Sequence, residues 1–216
     1  GAGAVVALVS LLATGRPVYR RGVKDVDDDV REEGCNVRAY LAAMSRGKGR
    51  QEFNQGTLEE AHRVQKRLRR VLGVQGKPGI HQHELQDLAL TLLRADPRLA
   101  HVARKRRKDI AWSNGGTEVD LARESAVTRV FDDPRSTNPE AVIALESRAF
   151  GLGGLKRKVI ITCAMPVPLK WLAEAGVGRE RVAEIMIKKG RLVARIERVH
   201  ARKVLASREE VPQGAL

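Results

Sequence analysis

Over roughly the first hundred residues the apolar side chains recur at helical spacing, and beyond them they fall in short alternating runs. Val5, Val6, Leu8, Val9, Leu11 and Leu12 face nearly every side of a helix, as in a helix packed between others, and Gly15-Arg16-Pro17 ends it. The spacing predicts a second helix over Val23 to Glu33, where Asp27, Asp28 and Asp29 suit an early turn and Gly34 a C-terminal stop. A third follows from Val37 to Met44, and Ser45-Arg46-Gly47-Lys48-Gly49-Arg50 then reads as a basic surface loop. The plainest helix runs from Thr57 to Leu72. Leu58, Ala61, Val64, Leu68, Val71 and Leu72 recur at its spacing, Thr57 with Glu60 makes a capping box, and Gly73 is the stop. Past the Gly76-Lys77-Pro78-Gly79 turn, Leu85, Leu88, Ala89, Leu92 and Leu93 make His83 to Ala95 amphipathic. Pro97 opens a short helix with Leu99, Val102 and the run Arg104-Lys105-Arg106-Arg107-Lys108.

The second half reads as strands. Ile110-Ala111-Trp112-Ser113 and Thr117-Glu118-Val119-Asp120-Leu121 flank an Asn114-Gly115-Gly116 turn. Further strands are predicted over Ala141 to Ala149, Lys158 to Met165, Val182 to Lys188, Arg191 to Val199 and Lys203 to Ala206, with a loop over Asp132 to Pro139. A short helix is expected around Trp171, and a turn at Lys189-Gly190. Six or seven short strands with one helix between them predict a small, partly open, OB-like barrel. The fold class expected is therefore α+β: a helical bundle over residues 1–105 followed by an OB-like β-barrel domain over residues 106–216.

Charge adds a partner. The 216 residues carry 40 Lys and Arg against 26 Asp and Glu, a formal charge of +14, which is the electrostatic footprint of a nucleic-acid binder. The excess is shared equally between the two halves, so neither is a basic tail. Two clusters stand out. Arg63, Lys66, Arg67 and Arg70 lie with Arg69 on the Thr57–Leu72 helix, either as a solvated face or as phosphate contacts. Arg104, Lys105, Arg106, Arg107 and Lys108 are too costly to bury, and serve as a phosphate grip or as a solvated linker. Trp112 is placed either for base contact or as a half-buried barrel residue, beside Asn114 at the turn. With seven aromatics in all, few bases could be stacked, so contact with backbone phosphates and tolerance of sequence are expected.

Catalytic and metal chemistry leave no trace. There is no GxxxxGK[ST] loop: Gly151-Leu152-Gly153-Gly154 before Lys156 has the wrong spacing and reads as a hairpin turn. His81 and His83 flank Gln82 without an HExxH pattern or a cysteine partner, and read as capping or surface histidines. Ser125 and Ser147 sit in no GxSxG elbow. The two cysteines, Cys35 and Cys163, show no CxxC spacing, which fits a reducing, cytoplasmic setting and gives neither a disulfide framework nor a zinc ribbon. No apolar run approaches the ~18 residues of a membrane span, and the Gly3–Leu12 run lacks the flanks of a signal peptide. No catalytic residue, metal site or resident cofactor is expected.

The joint between the halves carries a resemblance. Leu88-Ala89-Leu90-Thr91-Leu92-Leu93-Arg94-Ala95-Asp96-Pro97-Arg98-Leu99-Ala100 resembles the "LLLxAYPDRIA" segment of bacterial HrpB-type DEAH-box helicases. In that family an arginine-rich stretch and a "LANGRG" hairpin follow, matching Arg104 to Lys108 and Trp112 to Gly116 here, with Gly116 where arginine is common. Val5 to Leu12 resembles the "AAxLAALLS" helix opening the family's ratchet domain, and Trp171-Leu172 through Val193 the end of its OB-like domain. The resemblance implies a non-catalytic C-terminal fragment, and a chain that starts without Met and ends at Pro212-Gln213-Gly214-Ala215-Leu216 fits one. The parent's RecA-like domains would bind ATP and Mg and drive 3′-to-5′ translocation, with this region helping to form the channel for RNA or another single strand. The implied partners are that strand and the RecA-like domains, for a monomeric, cytoplasmic protein. The alternative is a protein-interaction module whose cations dock onto the helicase core or an activator.

Overall fold

Helices give way to strands where the hydrophobic period changes. The computed structural model describes residues 1–20, 34–46, 52–106, 110–116, 118–122, 125–127, 139–150 and 158–211. The helix expected over Val23–Glu33, most of the basic loop after Arg46, the Gly151–Gly154 turn, most of the Asp132–Pro139 loop, and Arg107 and Lys108 lie outside the described residues. Within them the fold is α+β. Helices α1 (Ala2–Leu12), α2 (Asn36–Arg46), α3 (Gln55–Leu72) and α4 (Gln82–Ala95) come first. Strands β1 (Ala100–Lys105), β2 (Ile110–Ser113), β3 (Glu118–Leu121), β4 (Ala141–Phe150) and β5 (Lys158–Val167) follow. Helix α5 (Leu169–Glu174) and strands β6 (Arg179–Lys188), β7 (Arg191–His200) and β8 (Lys203–Glu210) complete the order.

Five strands close a barrel in the order β1-β2-β3-β5-β4, and three form a separate sheet, β6-β7-β8. This corrects the single, partly open barrel of six or seven strands. Ala100, His101 and Val102 pair with Ile143, Val142 and Ala141, so β1 joins β4 as well as β2 and leaves the last three strands no edge to extend. β3 lies parallel to β5, with Asp120 opposite Ile160, while β2 runs antiparallel to both β1 and β3. The last strands fold on themselves through two-residue turns. Lys189 and Gly190 (φ 48° and 73°) make the first and Ala201 and Arg202 (45° and 64°) the second, the positive-φ pairs that suit a twisted hairpin.

The helix expected to open at Pro97 is also corrected. Pro97–Leu99 is one 3₁₀ turn, capped by the Asp96 carboxylate accepting from the Arg98 N–H at 3.0 Å, and the chain is extended from Ala100. Ala100, His101 and Val102 are buried in succession, a run that suits a strand flanked on both edges better than one face of a helix.

The chain divides into two compact units. One comprises Gly1–Asp87, Asp120–Asn138 and Ala144–Pro166; the other comprises Leu88–Val119, Pro139–Ile143 and Val167–Leu216. In the first, α1 packs Ala4, Ala7, Leu8 and Leu11 into a core shared with α2 and α3. Tyr19 stacks on Phe53 with ring centroids 5.4 Å apart and tilts toward Tyr40 at 5.7 Å. Burial pushes the Tyr40 phenol well up, and its hydroxyl donates to the Thr162 carbonyl at 3.3 Å. Asn36, fully buried at the start of α2, joins distant segments. Its Oδ1 accepts from the Ser125 hydroxyl at 2.7 Å and from the Ala164 N–H at 3.2 Å.

In the second unit, β1 and the three-stranded sheet meet at two histidines. His200 Nε2 lies 3.1 Å from the Ala100 carbonyl, and His101 Nδ1 lies 3.0 Å from that of Leu99. His101 is 8% exposed, and desolvation holds its pKa below the ordinary value, with His200 adding to the effect and the Leu99 contact opposing it. α5 packs on β8, and Gly178 (φ 87°) lets β6 start against β7, since a Cβ there would sit 2.5 Å from the Val199 carbonyl oxygen.

Asn36→Ala leaves two buried donors unsatisfied and should cost about 2–4 kcal/mol in denaturant unfolding, against about 1 kcal/mol for Ser125→Ala. His101 binds its proton more readily unfolded than folded. Its stabilising contribution is therefore full above the ordinary value of about 6.5 and is lost as the pH falls from there through its lowered folded value. Thermal melts should show a drop across that window in the wild type and a flatter profile in His101→Gln.

Candidate nucleic-acid interface

Helix α3 carries the clearest cationic surface. The chain enters it through an antiparallel bridge between Tyr19 and Phe53, with Asn54 N–H donating to the Val18 carbonyl at 2.8 Å. Asn54 is therefore extended at the helix start, and its side-chain oxygen accepts from the Thr57 N–H at 3.3 Å. This moves the cap three residues upstream of the Thr57–Glu60 capping box. The Thr57 hydroxyl instead donates to the Pro17 carbonyl at 3.1 Å, and Glu60 pairs with Arg16 at 3.0 Å. Gly73, at φ 64°, ends the helix.

Thr57, Leu58, Ala61 and Gln65 form the buried face of α3. Arg63, Lys66, Arg67 and Arg70 are all exposed, at positions i, i+3, i+4 and i+7, so they stand in one stripe about 10 Å long. None of the four is in an ion pair among the described residues. Arg69 points elsewhere, its guanidinium donating to the Gly76 carbonyl.

Where it is described, the Arg104–Lys108 run leaves the end of a strand, not a helix, and Arg106 lies in the connection that follows β1. Arg104 and Lys105 end β1, opposite Ala111 and Ile110. Arg104 is half-buried, Lys105 is exposed, and Arg106 donates to one carboxylate oxygen of Glu118 at 3.2 and 3.3 Å. Trp112 is 1% exposed, paired between Ala103 and Val119, so its ring is core and offers no face to a base. Asn114 holds the turn: its oxygen accepts from the Gly116 N–H at 3.1 Å and its amide donates to the Arg98 carbonyl at 3.4 Å. The structure thus gathers Arg63, Lys66, Arg67 and Arg70 on one surface. Trp112 is buried, Arg104 and Asn114 are half-buried, and Arg106, exposed, is engaged by Glu118.

Sequence reasoning missed the charge ladder of the three-stranded sheet. Arg181 pairs with Glu197 at 2.9 Å, Arg195 with Glu184 at 3.2 Å, and Lys188 with Glu209. Glu180 accepts from Arg208 and Arg198 at 2.7 and 2.6 Å, and these hydrogen bonds, Arg208 first, hold its carboxyl down to about 2. The cations of this ladder are matched by acids, unlike those of α3. Only the strand register reveals such pairs, because partners such as Glu180 and Arg208 are 28 residues apart.

The remaining candidate chemistries resolve into structure. His81 and His83 stack with centroids 5.8 Å apart, and no group of three or more His, Cys, Asp or Glu able to hold a metal occurs among the described residues. Ser125 Oγ donates to Asn36 and accepts from the Val127 N–H at 3.2 Å. Cys35 and Cys163 are buried and unbridged, and burial, with Cys35 and Glu146 adding, pushes the Cys163 thiol well up, away from nucleophilic character. No helix among the described residues is long and apolar enough to cross a membrane. Neither a protein-family model nor a curated protein matches the chain.

Proposed function

We propose that this chain is a non-catalytic accessory region of a DEAH-box ATP-dependent RNA helicase, and that it forms part of the path for a single strand. The observation that carries this reading is the α3 stripe: Arg63, Lys66, Arg67 and Arg70, exposed on one face of a chain with a formal charge of +14 and unmatched by acids among the described residues. Cations so placed meet consecutive phosphates without reading bases. The helicase resemblance at Leu88–Ala100 supplies the parent, whose RecA-like domains would bind ATP and Mg and drive 3′-to-5′ movement. The cyclic strand order with β3 parallel to β5 supports an OB-like barrel, and helices α1 to α4 would belong to the ratchet region. With Trp112 and Asn114 used internally, grip falls to phosphate contacts, and the strand is held whatever its sequence.

A second reading, a protein-interaction module docking on the helicase core or an activator, is favoured by Val71 and Leu72. They are 73% and 59% exposed at the end of the same helix.

Fluorescence anisotropy of a labelled single-stranded RNA across a salt series separates the two. Micromolar binding with a steep salt dependence is expected. Replacing Arg63, Lys66, Arg67 and Arg70 with Ala should weaken it equally for all sequences and flatten the log–log salt slope by up to about 3. An unchanged slope removes the stripe from the interface. No binding at low salt, together with docking to the ATPase domains that Val71→Glu abolishes, establishes the second reading instead.

A further inference from the structure

On one face of the three-stranded sheet the charges of Glu180, Arg198, Arg208 and Glu210 cluster toward one end, and an apolar row along β6 is exposed beside them. Cross-strand neighbours share a face. Val182 stands opposite Ile196, Ile185 opposite Ala194 and Ile187 opposite Leu192, which places all six on one side. On β6, Val182, Ile185 and Ile187 are 59%, 62% and 76% exposed; on β7, Leu192, beside the Lys189-Gly190 turn, is 45% exposed and Ala194, flanked by Ile185 and Glu210, is 7% exposed. β7 has a neighbour on each side; β6 has β7 on one side, and among the described residues no strand pairs with its outer edge. Among the described residues, Ile185 and Ile187 therefore have no strand beyond β6 to flank them.

The free edge is also the straight part of the strand. The register irregularity of β6 lies between Val182 and Glu184, and from Glu184 to Lys188 the pairing with Arg195 to Arg191 is unbroken. This segment, Glu184-Ile185-Met186-Ile187-Lys188, has the same apolar pattern read from either end and opposite charges at its two ends. A long unpaired edge is a template for another strand, and natural edges are usually blocked by charges, prolines or bulges. Here the charges are arranged to accept one partner in one register.

We propose that this edge pairs with the same edge of a second copy of the chain, antiparallel, about a two-fold axis at Met186. In that register Ile185 meets Ile187 of the second copy, and Glu184 meets Lys188 of the second copy, each contact occurring twice by symmetry. Two three-stranded sheets become one sheet of six. The contacts that Glu184 makes with Arg195, and Lys188 with Glu209, lie on the same face as the new ion pairs and extend into them as an alternating row. The pairing takes nothing from α3, so it is independent of the nucleic-acid reading.

Sedimentation velocity of the full chain over a concentration series tests this. The mass should rise from 23.8 kDa toward twice that value with concentration. Glu184→Lys alone and Lys188→Glu alone each place like charges at both symmetric contacts and should weaken the dimer at least about tenfold. The double variant restores opposite charges and should recover most of the affinity, which a folding defect would not do; far-UV circular dichroism checks the fold of each. A single-chain mass at every concentration, a dimer indifferent to all three variants, or a double variant as weak as the singles overturns the proposal.

Discussion

Strand β1 is the piece on which the rest of the fold depends. It pairs with β2 through Val102–Lys105 and with β4 through Ala100–Val102, and this double engagement is what closes the barrel. Closure fixes where the charges of the Arg104–Lys108 run can go. Arg104 is taken into the strand, Arg106 is turned onto Glu118, and Trp112 is packed as core opposite Ala103. Closure also leaves β6, β7 and β8 to pair with one another, so that among the described residues the outer edge of β6 has no partner strand. A single pairing decision thus sets Arg104 into a barrel strand and buries Trp112, while four exposed cations with no ion pair among the described residues stand together on helix α3.

Helical periodicity was easy to read because the helices bury one face and expose the other. The pattern places α2, α3 and α4 within a few residues of where they lie, and the stripe on α3 follows from the spacing of 63, 66, 67 and 70. The strand hairpins around Gly115 and Gly190 were equally legible from turn residues. What failed was whatever depended on a partner far along the chain. A helix through Val102 and a strand through Val102 differ only in whether Ala141 is waiting opposite, and no local pattern records that. The cap of α3 failed for the same reason: Thr57 and Glu60 have the right spacing, but Val18 draws Asn54 into the capping position. Trp112, open between core and contact in the sequence, was settled by β1 and β3 on either side.

The exposed cations of this protein fall into two settings, and neighbouring acids separate them. In the three-stranded sheet Glu180, Glu184, Glu197 and Glu209 each touch an arginine or lysine across strands, and such exposed pairs add little stability singly while fixing register. On α3 none of the four cations of the stripe is in an ion pair among the described residues: Glu60 pairs with Arg16, and Glu59, exposed one turn before Arg63, stands at the N-terminal end of the stripe without a salt bridge among them. Excess charge alone would not reveal this. The distinction comes from which cations the fold has already matched.

The interleaving of the two units governs how the chain can acquire its structure. The first unit starts at Gly1 and is not complete until Pro166. Asn36 waits for Ala164, 128 residues later, and Tyr40 for Thr162. At synthesis rates of about 5–20 residues per second, that separation leaves the N-terminal helices without their partner strand for roughly 6–25 s. Over that interval α1, whose buried face includes Ala4, Leu8 and Leu11, has only other helices to cover it. Contacts of such long sequence separation slow folding through the entropy of closing the loop between them. Aggregation during synthesis, more than stability once folded, is the hazard this topology carries.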